Sequence, residues 1–334
     1  MRFAVIGSAH GHIYQFIEDM NSLGAEFVGI YNDTSNLVND IKEKYEVPVY
    51  QDLDNLFAED LDIAATSAIN NQKMGFISEC CKHGVHVIAD KPIVVNYEQY
   101  NKLEKIIEEG NIEIGLMLTV RFMPQVYKVK QLIDNGIIGD LINVEIFSPH
   151  KLRANERPAW HFDKEQNGGI IVDLMPHSVD LYNWLTEDKI KDYNGVVQKT
   201  ILPEHQDFFD SSQFFITGEN GSSGYLRVDW HMTNTHWSWG DIRIFCSGTK
   251  GEIEARVTGD PLTKEPKVIL FEEEKETREI AVDEINLSVT KDFVKRIKGQ
   301  EYIIGHQDIL KASKFSLDFS KKAEKINKFE NQGR

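Results

Sequence analysis

The sequence predicts an α/β chain of two domains, a parallel sheet flanked by helices and then an α+β domain whose sheet is mainly antiparallel. Three observations predict it. Short β-branched runs alternate with helical patterns as far as about residue 118. Beyond a helix near residues 123–135, strand patterns follow one another with few helices between them. A length of 334 residues, 41% of them hydrophobic, makes about two domains at roughly 150 residues each and fills their cores. The boundary is expected near residue 120, giving domains 1–120 and 121–334.

In the first domain the strands are "RFAVIG", "EFVGIYN", "LDIAATSA", "HVIAD" and "IEIGLML". The helix after the first of them carries Ile13, Phe16, Ile17 and Met20 at i, i+3, i+4 and i+7, one apolar face turned to a sheet. In the second domain "LINVEIFS", "DYNGVVQKTIL", "SQFFITG", "GYLRVDWHMT", "DIRIFCSG", "GEIEARV" and "KVILFEEE" are strands. One helix, about 171–186, interrupts them, and two more, about 285–298 and 306–328, close the chain. The run "FEEEKETRE" reads as a solvated edge strand or hairpin guarded by charge.

Bulk charge narrows the function. Lysine and arginine number 37 against 53 acidic residues, a formal charge of −16 that opposes a broad phosphate-neutralising surface, so nucleic acid is not an expected partner. The chain enters a strand directly, with no leader-like start and no apolar run of about 18 residues, and a cytoplasmic location is expected. Cys80, Cys81 and Cys246 read as reduced core thiols, because three cannot all pair and a bridge between neighbours in a helix is strained.

A strand that ends at Gly7, a turn of small residues and a helix beginning near His12 bring backbone N–H groups and a positive helix end together. In a first βα unit the anion held there is usually a pyrophosphate, so Gly7, Ser8, Ala9, His10, Gly11 and His12 are expected to border a dinucleotide. The glycine fingerprint is altered, with Ala9 and His12 at its second and third places. Asn32 and Asp33 end the second strand, where a ribose hydroxyl is normally held. Asp33 would repel a 2′-phosphate, which favours NAD over NADP. An Asx turn explains Asn32 equally well.

The strand end "HVIADKP" places Asp90 and Lys91 where ligands of open α/β sheets bind. In "GGIIVDLMPHSVDLYNWL", Asp173, His177 and Asp180 lie at i, i+4 and i+7 on one helix face. A histidine one turn from a carboxylate serves as a general base or as a helix-face hydrogen bond in a core. The Gly168-Gly169 pair before it favours a site.

These residues resemble the Gfo/Idh/MocA oxidoreductases. The resemblance takes in the N-terminal turn, "GVHVIADKP" for the family's Glu-Lys-Pro strand end, "RFMPQVYKVKQLIDNGIIGDL", the Asp-x-x-x-His helix and "CSGTKGEIEA". It implies a Rossmann-type domain carrying NAD(P), a C-terminal domain with a large open sheet, and dimers or tetramers assembled through that sheet. It implies that Lys91 holds the cofactor ribose and a substrate hydroxyl, that His177 is the acid/base with Asp173 as partner or substrate ligand, and that Asn70 contacts the cofactor. The chain departs from the family at Asp90 for glutamate, Ile69 for proline, Lys73 for histidine, Met175 for glycine and His12 for a small residue.

The expected reaction is hydride transfer between nicotinamide and a hydroxyl carbon of a sugar, cyclitol or related polyol. Arg121, Arg153, Trp160, His161, His231 and Trp237 are the candidate substrate contacts, and "DWHMTNTHWSWG" can stack on a sugar ring and bond its hydroxyls. Three rivals remain: a cofactor-binding sensor without turnover, an NAD-dependent lyase or glycosidase of the same family, and a metal-dependent hydrolase or isomerase using His10 and His12.

Overall fold

The computed structural model describes residues 1–32, 35 and 37–330, and they form two compact units. The first takes the described residues among 1–118, 165–168 and 287–314; the second takes those among 119–164, 169–286 and 315–334. The first unit therefore recruits two later segments of the chain in addition to the N-terminal residues.

In chain order the first unit contains β1 (Arg2–Val5), α1 (Ile13–Ser22), β2 (Glu26–Tyr31), α2 (Leu37–Tyr45), β3 (Val49–Tyr50), α3 (Leu53–Phe57), β4 (Ile63–Thr66), α4 (Lys73–His83), β5 (His86–Ala89), α5 (Tyr97–Glu109) and β6 (Ile114–Leu116). All six strands are parallel, in the order β3-β2-β1-β4-β5-β6. The order reverses between β1 and β4, and such a switch point is where this class of sheet binds ligands. Ile13, Phe16, Ile17 and Met20 of α1 are fully buried, each contributing about 1.5–3 kcal/mol by leaving water. The two-residue β3 at the sheet edge escapes a reading by pattern because it is too short to show a period.

The second unit holds α6 (Pro124–Asp134) and β7 (Leu141–Pro149); a short helix, α7 (Lys164–Asn167), straddles the division. Then come α8 (Ile170–Thr186), β8 (Ile190–Lys199), β9 (Ser211–Gly218), β10 (Ser223–Asp229), β11 (Arg243–Gly248), β12 (Gly251–Arg256), β13 (Lys267–Glu272) and β14 (Arg278–Glu279). The chain closes with α9 (Val289–Ile297), which belongs to the first unit, then α10 (His306–Lys322), whose residues as far as 314 are assigned to the first unit and the rest to the second, and β15 (Glu324–Asn327). The nine strands of the second sheet run β14-β13-β12-β11-β7-β10-β9-β8-β15. Neighbours are antiparallel except β7 with β10 and β8 with β15. The acidic run forms the β13–β14 edge hairpin, as its charge predicts.

Two differences from the sequence reading have physical causes. The helical pattern expected as far as residue 328 stops at Lys322, and Glu324–Asn327 pair with Val196–Lys199 instead, because an unpaired sheet edge outweighs weak helix propensity. Helix α9 joins the first unit by close approach: a Cβ on Gly115 would come within 2.9 Å of the Phe293 ring, so only glycine in β6 lets that ring seat. The three cysteines are free, as expected, and burial pushes the Cys246 thiol up to about 12.

Candidate active site

The β1–α1 turn is stitched to the end of β4. Ser67 N–H donates to the Gly7 carbonyl at 2.8 Å, His10 N–H to the Ser67 carbonyl at 3.1 Å, and the Ser67 hydroxyl to the His10 carbonyl at 2.8 Å. A Cβ on Gly7 would lie 2.6 Å from the Thr66 hydroxyl and 2.7 Å from Ala68 Cβ, so that position is glycine by necessity. Gly11, by contrast, faces open space. Helix α1 has no side-chain cap and no acid in its first turn. Among the described residues, the N–H groups of Ala9 and Gly11 donate to no protein acceptor. An uncapped helix end with open N–H groups suits a pyrophosphate, so the turn fits the dinucleotide expected from the sequence. Ser35, which the sequence reading passed over, closes the turn from the side, its hydroxyl 2.6 Å from that of Ser8 and donating to the Ser8 carbonyl at 2.9 Å.

The departures at His12 and Asp90 form one feature. His12 Nδ1 lies 2.9 Å from one Asp90 oxygen and His10 Nδ1 lies 3.5 Å from the other. Asp90 is 2% exposed. Burial pushes its carboxyl up, but His12, Lys73 and His10 outweigh that and hold it well below the usual range. The shorter aspartate thus receives the histidine that replaces a small residue, and His12 turns to β5. The ligand atoms of His10, His12 and Asp90 lie within 4.8 Å of one another, close enough for one divalent ion. Lys73 argues against that use. Its buried ammonium donates to the Asp90 carbonyl at 3.0 Å, and a second full positive charge beside it is unfavourable.

Lys73 is 1% exposed, and nothing in the sequence beyond its departure from histidine marks it. Its ammonium donates to Asn70 Oδ1 at 2.9 Å, to the carbonyls of Asp90 and Pro92 at 3.0 Å, and to that of Lys91 at 3.3 Å. A buried charge held by four acceptors fixes the backbone on both sides of Lys91. Asn70 is drawn into the same support: its amide also donates to the Asn167 carbonyl at 2.9 Å. Asn32 donates to Gln51 Oε1 at 3.0 Å beyond the end of β2. Asp33 lies outside the described residues.

In the second unit, Gly169 precedes α8 with φ at +79°, in the left-handed region that favours glycine. Asp173 is buried, His177 half-buried and Asp180 buried, along one helix. Asp180 is committed within the unit. Arg121 donates to its two oxygens at 2.7 and 2.6 Å, and the pair is 1% and 2% exposed. The expected substrate contact at Arg121 is therefore corrected: the guanidinium is sealed against Asp180 and Trp184 and pins α8.

His161 is buried against Trp230 and Trp160, with ring centroids 5.2 and 6.0 Å away. Arg153 stacks on Trp239 at 5.4 Å and pairs with Glu156 at 3.2 Å. Trp237 is 41% exposed and stacks on His236. His231 bonds Asp210, Nε2 to Oδ1 at 2.8 Å, and Asp210 also accepts from Thr200 and Ile201. The sequence reading missed Arg157, which packs on Trp239 of the "DWHMTNTHWSWG" segment. Arginine after "RANE", shortly ahead of the Gly-Gly helix, was the available signal.

The His231–Asp210 pair makes stability depend on pH. The Asp210 hydrogen bond raises the His231 pKa above its ordinary 6.5, so that contribution is complete below 6.5 and fades as pH rises through the folded value. Burial pushes Asp210 up, but His231 and the Thr200 and Ile201 N–H groups lower it overall, so its share fades as pH falls below 3.8. The urea stability difference between wild type and His231→Gln should be greatest at about pH 4–6.5 and shrink steadily above it. A difference that grows from pH 6.5 to 8 would contradict the sign.

Comparison with known proteins agrees with this fold. Residues 1–115 match the model of an oxidoreductase family with an NAD-binding Rossmann fold, and residues 126–254 match the GFO/IDH/MocA C-terminal domain. The chain belongs to the Gfo/Idh/MocA oxidoreductases. Family relatives include D-xylose dehydrogenase of Paenarthrobacter nicotinovorans, 23% identical over 58% of this chain and 50% of that protein. Another is myo-inositol 2-dehydrogenase of Thermotoga maritima, 22% identical over 56% and 54%. The match spans about half the length of each of these two. Among solved structures, the aldose-aldose oxidoreductase of Caulobacter crescentus superposes with a TM-score of 0.81 at 15% identity, covering 97% of both chains, a likeness of fold alone.

Proposed function

We propose that the protein is an NAD-dependent dehydrogenase acting on a hydroxyl carbon of a sugar, cyclitol or related polyol. The observation that carries this reading is the uncapped β1–α1 turn at the switch point, with Lys91 buttressed through Lys73 at the end of β5. Nicotinamide supplies the hydride chemistry when bound. Gly7 to His12 cradle the phosphates, Asn32 holds the ribose, and Asp33 disfavours NADP by its charge. In the oxidative direction His177 takes the hydroxyl proton, Asp173 orients it or holds the substrate, and Lys91 steadies the developing alkoxide. Arg153, Trp160, His161 and Trp237 supply substrate contacts.

We also assign the open face of the second sheet to self-association. Phe147, Phe215, Tyr225 and Phe245 meet across it at centroid distances of 5.0–5.7 Å, and Phe215 is 60% exposed. No described helix is long and apolar enough to cross a membrane, and the proposed location is the cytoplasm.

Titration of the protein with NAD and with NADP, followed by thermal shift or calorimetry, tests the reading at its root. NAD at 100 times its Kd should add about 2.7 kcal/mol to stability, with NADP weaker. Binding of neither removes the dehydrogenase and the sensor readings together.

A further inference from the structure

Arg157 lies in the second unit, in the segment leading to α8, and its surroundings are unusual for a cation. Its guanidinium carbon is 5.1 Å from the Trp230 ring and 4.9 Å from the Trp239 ring. Its Nε donates to the Leu152 carbonyl at 3.0 Å, and among the described residues it forms no ion pair. Burial pushes its pKa down; Asp173 and Glu156 act in the opposite direction, and Arg153 adds to the depression. Arg153 stacks on the same Trp239 ring at 5.4 Å, from a backbone held at φ +49°. Two guanidinium groups therefore share one indole, and of the two Arg153 is also paired with Glu156, at 3.2 Å.

Such a pair has a chemical meaning. An arginine stacked on aromatic rings uses its faces there, which leaves in-plane N–H donors for a planar two-bond partner. Carboxylate and phosphate oxygens are the groups that match that fork. Like charges gathered in a partly desolvated setting are relieved by an anion. In a chain with formal charge −16, the bulk charge does nothing to attract such a ligand. Recognition falls to these local cations.

We propose that Arg157, supported by Arg153, binds the anionic group of a sugar acid or sugar phosphate, and that the substrate is an acidic sugar in preference to a neutral polyol. The site lies beside Asp173, so its catalytic meaning rests on the dehydrogenase reading, while its binding chemistry does not.

The test is calorimetry and tryptophan fluorescence on the full chain, with and without NAD, using D-glucuronate, D-gluconate, glucose 6-phosphate, glucose and myo-inositol. At least one anionic ligand should bind ten or more times tighter than the neutral ones, and the acid and phosphate arms identify which anion is taken. Arg157→Gln should weaken that ligand by roughly 10- to 100-fold in protein that remains folded at the assay temperature. Arg157→Lys, which keeps the charge but loses the fork, should recover only part of the affinity. The anionic affinity should also fall with salt between 50 and 300 mM, a readout available in wild type if Arg157→Gln fails to fold. Equal binding of neutral and anionic ligands, or anionic binding indifferent to both salt and Arg157→Lys, overturns the proposal. NADH formation is followed separately. Arg157-dependent anion binding without NADH formation leaves the site standing and removes the dehydrogenase; turnover of neutral polyols alone, unchanged in Arg157→Gln, does the reverse.

Discussion

His177→Ala lowers kcat for polyol oxidation by about 10²- to 10⁴-fold, the range for loss of a positioned general base, and leaves NAD affinity within a factor of three. The asymmetry follows from where the residue sits. His177 belongs to α8 in the second unit, whereas the β1–α1 turn and Lys91 belong to the first. Asp173, one turn earlier on α8, is buried and acidic. Removing the imidazole should therefore take away proton transfer and leave the β1–α1 turn as it is. Steady-state kinetics with NAD titrations on both proteins check this, and a kcat within threefold of wild type would mean that another group moves the proton.

Arg121→Ala should destabilise the protein by about 3–5 kcal/mol, the cost of leaving a buried charge without its partner. Both members are almost wholly buried, and the pair is bidentate at 2.7 and 2.6 Å. Asp180, 2% exposed, would keep its charge with no guanidinium opposite it. The double variant Arg121→Met with Asp180→Leu should be markedly more stable than the single one, because the isolated charge is then gone. Urea denaturation of the three proteins decides it. A single variant losing less than about 1 kcal/mol would show that solvent reaches Asp180.

Much of this was legible in the chain. Alternating β-branched runs and helical periods marked the parallel sheet, because its strands are covered on both faces and read as continuous apolar segments. The i, i+3, i+4, i+7 spacing of Ile13, Phe16, Ile17 and Met20 marked the buried face of α1. The charge of the 271–279 run marked an edge hairpin. Gly7, Lys91, Asp173 and His177 stood out because strand ends, glycine pairs and helix spacing are local features.

Only the tertiary structure decided the rest, since these outcomes depend on partners far along the chain. Residues 165–168 and 287–314 joined the first unit through contacts such as that of Phe293 with Gly115. Arg121 looked like a substrate contact until Asp180, 59 residues away, was seen to seal it inside. His12 looked like a damaged fingerprint until Asp90, 78 residues away, was seen to receive it. Lys73 carried no pattern, yet its buried ammonium holds the backbone around Lys91. Periodicity records which face of an element is buried, and so the sequence by itself determined the elements and the residues at their ends. It does not record which cation meets which carboxylate, and in a low-dielectric interior that pairing separates a residue that holds the fold from one left to bind a ligand.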